Sequence, residues 1–398
     1  MIPFAKNIFC VNIGLIRQAN AISMKIGIDA QMLCGVVTGI ERYASEMVHE
    51  FFQANPQAEF FLYSPKSLTI DVPSRANIKV REANVTRRAG KTLWSQTQLP
   101  YWANQDNLDV FWGPTHRLPR LLSNKVARVV TIHDLVWKHA GETMPHINRL
   151  AEQCLMPDAI RLADRIMADS HSTADAIVTE FPWARERVRV VHLGATVLPA
   201  PLGFNELRAL KIDRAYFLFV GTLEPRKNLR RLLEAYASLD DAIKKQTLLV
   251  IAGGKGWGNV DLVSLIQSLG LNESVRLTGY VTEQQLSTLY AHARFLAMPS
   301  LYEGFGLPLV EAMSFGTPVL TSSCSSLPEV AGDAGILVDP HNTNSVASGL
   351  LQMLKDDALR NELAVRAKVN VARFSWEKAA KETMKIFQEA IDTRKARQ

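Results

Sequence analysis

The chain has 398 residues, 47% of them hydrophobic, with 45 Lys and Arg against 39 Asp and Glu for a net charge of +6. That length exceeds one typical core and predicts two domains of a soluble globular protein, while the modest, diffuse charge excludes a nucleic-acid-binding tract and favours anionic ligands or an anionic membrane face. No apolar run reaches the roughly 18 residues of a membrane span, and Cys10, Cys34, Cys154 and Cys324, without a C-x-x-C pair, form neither a zinc signature nor a disulfide framework, as in a protein of the reducing cytoplasm.

Residues 1–23 show no clear period and are expected to be a disordered extension or a start-site artefact. A first domain is expected over 24–196. It opens with a buried strand at Met24 to Ala30, a glycine turn at Cys34 to Gly39, and a helix whose apolar face carries Tyr43, Met47, Val48 and Phe51. Strands follow at Phe60 to Tyr63 and Ile78 to Val80. Arg87, Arg88 and Lys91 then precede Trp94, Tyr101 and Trp102, cations beside aromatics that suit either a membrane-surface or acceptor-phosphate patch or a core-packed helix with a solvated loop. The strand from Val110 should open its turn toward a cleft, making His116 and Arg117 candidate acceptor contacts. The β-branched strand from Val126 stops at His133 and Asp134. A further strand leads to Ser170, residues 171–175 supply helix caps, and the strand at Val188 to Gly194 closes the domain.

Residues 197–213, with Pro199, Pro201 and Gly203, read as a linker. A second α/β series is expected over 214–375. Its first strand, from Tyr216, is apolar enough to be buried on both faces and is followed by Arg226 and Lys227, a bidentate fork and a point charge suited to a diphosphate. The glycine-rich turn at 253–258 fits neither dinucleotide nor P-loop patterns. The strand from Phe295 ends in a turn that holds Glu303, Gly304 and Gly306, and Pro308 opens a helix that carries Glu311 one turn in. Both carboxylates therefore face one pocket above a strand's carboxyl end, where ligands bind in open α/β sheets, and the amides of Phe305, Gly306 and Leu307 suit an anion. A final helix lies in 376–398.

The E-G-F-G-L-P-x-x-E run from Glu303 to Glu311, with the segments Ala312 to Leu320 and Leu327 to Val338 after it, resembles the nucleotide-sugar site of retaining GT-B glycosyltransferases, glycosyltransferase family 4. The resemblance covers about residues 24–392. It implies an α/β GT-B fold, two Rossmann-like domains facing an interdomain cleft, the first taking the acceptor and the second the donor, with the terminal helix crossing back to the first.

By that resemblance Arg226 and Lys227 hold the diphosphate, Glu303 the sugar hydroxyls and Glu311 the ribose, while His133 sits over the sugar. Gly39 and Thr222 face the phosphates, and Tyr280 and Val281 the base. The chain departs from the pattern at Glu41, where many relatives have a second glycine, and at Thr222, where many have Arg. The resemblance further implies retention of anomeric configuration, and the absence of a D-x-D pair implies that no metal or other cofactor is needed. The runs ending at Tyr43, Arg117 and Trp257 are similar to bacterial O-antigen and exopolysaccharide mannosyltransferases, which implies GDP-mannose as donor and a glycan or polyprenyl-diphosphate-linked acceptor, used at most peripherally to a membrane. UDP- or dTDP-sugars would suit the same carboxylates. A nucleotide-sugar 2-epimerase and a non-catalytic glycan-binding protein are the readings of other classes.

Overall fold

The computed structural model describes residues 24–35, 39–258 and 261–398, so the expected extension 1–23 and part of the turn 34–39 lie outside the described residues. Seven strands form the first sheet: β1 (Lys25–Asp29), β2 (Glu59–Ser64), β3 (Ile78–Glu82), β4 (Val110–Gly113), β5 (Ala127–Ile132), β6 (Arg165–Ala168) and β7 (Val188–Val190). Six form the second: β8 (Tyr216–Val220), β9 (Leu248–Ala252), β10 (Val275–Gly279), β11 (Leu296–Met298), β12 (Val319–Ser322) and β13 (Gly335–Val338).

The orders are β3-β2-β1-β4-β5-β6-β7 and β10-β9-β8-β11-β12-β13, and every pairing is parallel. Each sheet thus reverses direction once, between β1 and β4 and between β8 and β11, which is the doubly wound Rossmann arrangement with its ligand crevice at the switch point. Parallel strands covered on both faces must be apolar throughout, and β5 and β9 are buried at every position.

The helix Trp376–Lys395 belongs in sequence to the second domain yet packs on the helix Gly39–Ala54 and on β4, β5 and β6. Trp376 tilts against Tyr43, and Phe387 against Phe51 and Trp112. Gly194 makes the approach possible, since a Cβ there would lie 2.3 Å from the Trp376 nitrogen. The helix is anchored by Asp164, which is fully buried. Arg394 Nη2 reaches its carboxylate at 2.7 Å, Arg397 Nη1 at 3.2 Å and the Arg128 amide at 2.9 Å.

Of the readings open for the aromatics near the Arg87 cations, Trp94 fits the core-packed helix, at 3% exposed within a buried cluster, while Tyr101 is 62% exposed. One local expectation is corrected. The helix His171–Glu180 is capped by Ser170, whose hydroxyl accepts the Thr173 amide, rather than by a residue of 171–175, because the strand's end already places Ser170 in extended backbone.

Removing the Asp164 carboxylate leaves the partly buried Arg394 guanidinium and the buried Arg128 amide without their acceptor, so Asp164→Ala should cost about 1–3 kcal/mol. Urea unfolding checks the cost, and hydrogen exchange should show the terminal helix as the segment that loosens first.

Candidate active site

The turns after β8 and β11 meet at the second sheet's switch point. Glu303 stands between two cations: Lys227 Nζ is 2.7 Å from its Oε1, and Arg226 Nη1 bonds its Oε2. Burial alone would raise the Glu303 pKa, but Arg226 and Lys227 outweigh it and hold the pKa down at about 2. Glu224, 5% exposed, lies 3.4 Å from Arg226 Nη2, and burial pushes its pKa up. Two carboxylates and two cations therefore balance. The Arg226 Nε is buried and has no hydrogen-bond partner among the described residues, a spare donor for an anionic ligand.

The turn itself is held from below. Glu303 donates its amide to the Ser325 hydroxyl at 3.1 Å, and the Ser326 hydroxyl lies 2.9 Å from the carbonyls of both Glu303 and Phe305. Gly306, at φ +107°, caps the helix Leu307–Ser314, a backbone region that favours glycine. The amides of the helix start have no intrahelical acceptor. Phe305 is packed between His192 and Phe374. The turn at 253–258 supports the site from behind: Leu223 donates to the Gly254 carbonyl, and a Cβ on Gly253 would lie 2.0 Å from the Gly221 carbonyl oxygen. Thr222 and Val281 are half-buried and Tyr280 is exposed.

Glu311 is 5% exposed and accepts from the Tyr290 hydroxyl at 2.8 Å. Burial raises its pKa against the pull of Arg42 and Tyr290. Arg42, from the first domain, sits 3.8 Å from Glu311 and 3.3 Å from Glu283, so one guanidinium bridges the cleft. Gly39 begins the same helix, where a Cβ would meet nothing within 4 Å.

On the facing wall His133 follows β5. Its Nδ1 is 2.6 Å from Asp169 Oδ2 and its Nε2 2.8 Å from the Pro114 carbonyl. Both partners only accept, so both ring nitrogens carry protons. Burial would lower the His133 pKa, but Asp169, Asp134 and the Pro114 carbonyl outweigh it and the net shift is upward. The ring is thus tied into its own domain, and the residue meets the opposite domain through its backbone. His133 donates its amide to His116 Nε2 at 2.9 Å, which leaves His116 Nδ1 as the donor to Glu152 at 3.3 Å. Arg117 lies 3.6 Å from the same Glu152. The structure therefore gathers His133, His116 and Arg117 into one cluster. Asp29, at the end of β1, is buried with its pKa raised to about 6 by burial, against the Gln31 amide and Arg117.

The two walls touch at Gly304. A Cβ there would lie 1.8 Å from the His133 carbonyl oxygen. The Gly304 carbonyl accepts from the Ser170 hydroxyl at 2.7 Å, and Thr173 Oγ1 lies 3.1 Å from it and 3.2 Å from the His133 carbonyl. Nearby, Tyr302 stacks on His139, and Trp257 donates to the Thr143 carbonyl.

Asp169, Glu152, Arg42, Tyr290 and Glu224 were not singled out from sequence. A signal existed for Asp169 and Glu224, each a carboxylate just beyond a strand's carboxyl end. Arg42 lies in the run ending at Tyr43 but was given no role there, and nothing local marks Tyr290.

Solved structures share this architecture. The chain superposes on sucrose-phosphate synthase from Thermosynechococcus elongatus with a TM-score of 0.73 at 19% identity, covering 92% of this chain and 98% of that one. It superposes on HepE of Anabaena in complex with UDP and glucose with a TM-score of 0.68 at 18% identity, covering 92% and 99%. The fold is thus that of the GT-B glycosyltransferases.

Residues 37–197 match the model for Glycosyltransferase Family 4, and residues 206–370 that for Glycosyl transferases group 1. The chain is 31% identical to the O-antigen chain mannosyltransferase B of Escherichia coli over 381 residues, 92% of this chain and 99% of that protein. This chain belongs to glycosyltransferase family 4 and is a glycosyltransferase.

Gly304→Ala should leave the secondary structure intact and lower turnover about a hundredfold, since an ångström of misplacement costs on that order; circular dichroism and initial rates check both halves. The His133 pair with Asp169 has a raised folded pKa, so its stabilisation is complete below the ordinary value of 6.5 and is lost as pH rises through the folded value. Nitrogen NMR at neutral pH should find both His133 ring nitrogens protonated in the wild type but not in Asp169→Asn.

Proposed function

We propose that this glycosyltransferase moves mannose from GDP-mannose, with retention at the anomeric carbon, onto a lipid-linked glycan during assembly of a surface polysaccharide. The observation that carries the reading is the 31% identity to an O-antigen mannosyltransferase along 99% of that protein's length.

The site's electrostatics support it. When the bond between the sugar and the diphosphate breaks, its electron pair goes to the phosphate oxygen. Arg226 and Lys227 stand ready for that charge without reorganising, and the unpartnered Arg226 Nε adds a donor. Since Glu303 neutralises these cations beforehand, an incoming diphosphate shares them and leaves Glu303 oxygens to accept from sugar hydroxyls. Glu311 would take the ribose by exchanging its contact with Arg42. Gly39, Thr222 and the amides of Phe305, Gly306 and Leu307 would line the phosphates, and Tyr280 and Val281 the base.

The acceptor hydroxyl attacks on the face the diphosphate leaves, and its proton passes to the departing phosphate oxygen. His116 and Arg117 would meet the acceptor, and cations with helix amides would do what a metal ion does elsewhere. No helix among the described residues is long and apolar enough to cross a membrane. A lipid-linked acceptor would be met peripherally on the cytoplasmic face, for which the exposed Leu93, Tyr101, Leu121, Ile147 and Leu150 offer apolar contact.

Chelator-treated enzyme given GDP-mannose and an acceptor extract should release GDP and transfer mannose. Lys227→Ala and Glu311→Gln should each weaken GDP binding by roughly 1.5–3 kcal/mol, tenfold or more, in calorimetric titration. Turnover of a UDP-sugar but not GDP-mannose would overturn the donor, and a requirement for added Mg²⁺ would overturn the metal-free chemistry.

A further inference from the structure

Behind the Gly304 contact, the two domains bring together His171 and His192 from the first and Glu329 from the second, with one ligating atom of each within 4.8 Å of the others. Glu329 sits on the short helix Leu327–Ala331. His192 Nε2 is 2.6 Å from Glu329 Oε1. The same carboxylate accepts the His171 amide at 3.0 Å and the Ser172 amide at 3.3 Å, at the start of the helix His171–Glu180. The His192 ring is oriented by Phe305 and Phe374, whose centroids lie 6.2 and 5.9 Å away. The His171 ring is exposed, 5.6 Å from that of His192.

We propose that His171, His192 and Glu329 bind a divalent transition-metal ion of the zinc type, which clamps the two domains in the closed arrangement. Two imidazoles and one carboxylate are a set that zinc, cobalt and nickel accept, with solvent in the remaining position, whereas the nitrogen donors disfavour Mg²⁺ and Ca²⁺. Ligand atoms about 2.0–2.2 Å from a central ion lie closer to one another than 4.8 Å, and the exposed His171 is the side chain free to make that adjustment. A carboxylate has about four lone-pair sites, so Glu329 can bind an ion and keep its backbone partners once His192 has given up the proton between them.

The clamp acts on the contact that closes the cleft. Ser170 and Thr173, which hold the Gly304 carbonyl, flank His171 on the same segment, and Ser326, which supports the Glu303 turn, directly precedes the helix of Glu329. An ion here ties those two segments together without touching the donor residues. The ion would take no part in the metal-free donor chemistry proposed above, although the His192 ring packs on Phe305 of the donor turn.

The test uses full-length, chelator-treated protein titrated with Zn²⁺ by calorimetry and with Co²⁺ by visible absorption. The wild type should take up one ion per chain, give the ligand-field bands of a low-coordinate nitrogen and oxygen site, and melt at a higher temperature when loaded. His171→Ala keeps the His192 to Glu329 pair and should melt like the ion-free wild type while binding Zn²⁺ at least tenfold more weakly. Equal affinity in His171→Ala, or no uptake by the wild type beyond that of a His171→Ala, His192→Ala double variant, would overturn the proposal.

Discussion

The site depends on how closely Gly304 approaches His133. Only a residue without a side chain lets the Glu303 turn of one domain come against the strand end of the other, and the Ser170 hydroxyl fixes the contact by bonding the Gly304 carbonyl. Glu303 and His133, which belong to separate cores, are thereby placed on facing walls of one cleft. Their separation is set by backbone packing, and the long flexible side chains around them adjust to it.

Charge balance is the second constraint. Arg226, Lys227, Glu224 and Glu303 are all nearly buried, a costly arrangement for any of them alone. Paired, they are compensated, and the strongly lowered Glu303 pKa records how firmly the cations hold that carboxylate ionised. The same neutral cluster is what an anionic ligand can redistribute. His133 obeys a similar logic on the other wall, where the Asp169 carboxylate offsets the cost of burial and shifts the imidazole pKa upward.

The terminal helix adds a mechanical link. Its N-terminal end packs at Gly194 and its C-terminal end is held by Asp164, so the second domain in sequence reaches back across the first sheet. The two domains are thus joined by the linker, by this helix, by the Arg42 bridge and by the contacts around Gly304, and a motion that opens the cleft must bend the first two while breaking the others.

Much of the fold was legible because parallel strands covered on both faces have to be apolar, and glycine, proline and helix caps mark their ends. Arg226, Lys227, Glu303 and Glu311 were legible for the same reason, lying in short segments whose local geometry aims them at a strand's carboxyl end. What the sequence could not reveal is which groups partner them. Asp169 lies 36 positions from His133, Tyr290 stands 21 from Glu311, and Ser170 is 134 from Gly304. Nor could it show that Trp94 turns inward, or that Arg42 crosses the cleft. Local periodicity and turn chemistry act over a few residues and so determine the elements and their ends. Charge compensation and close backbone approach act between segments distant in the chain, and only the packed tertiary structure decides them.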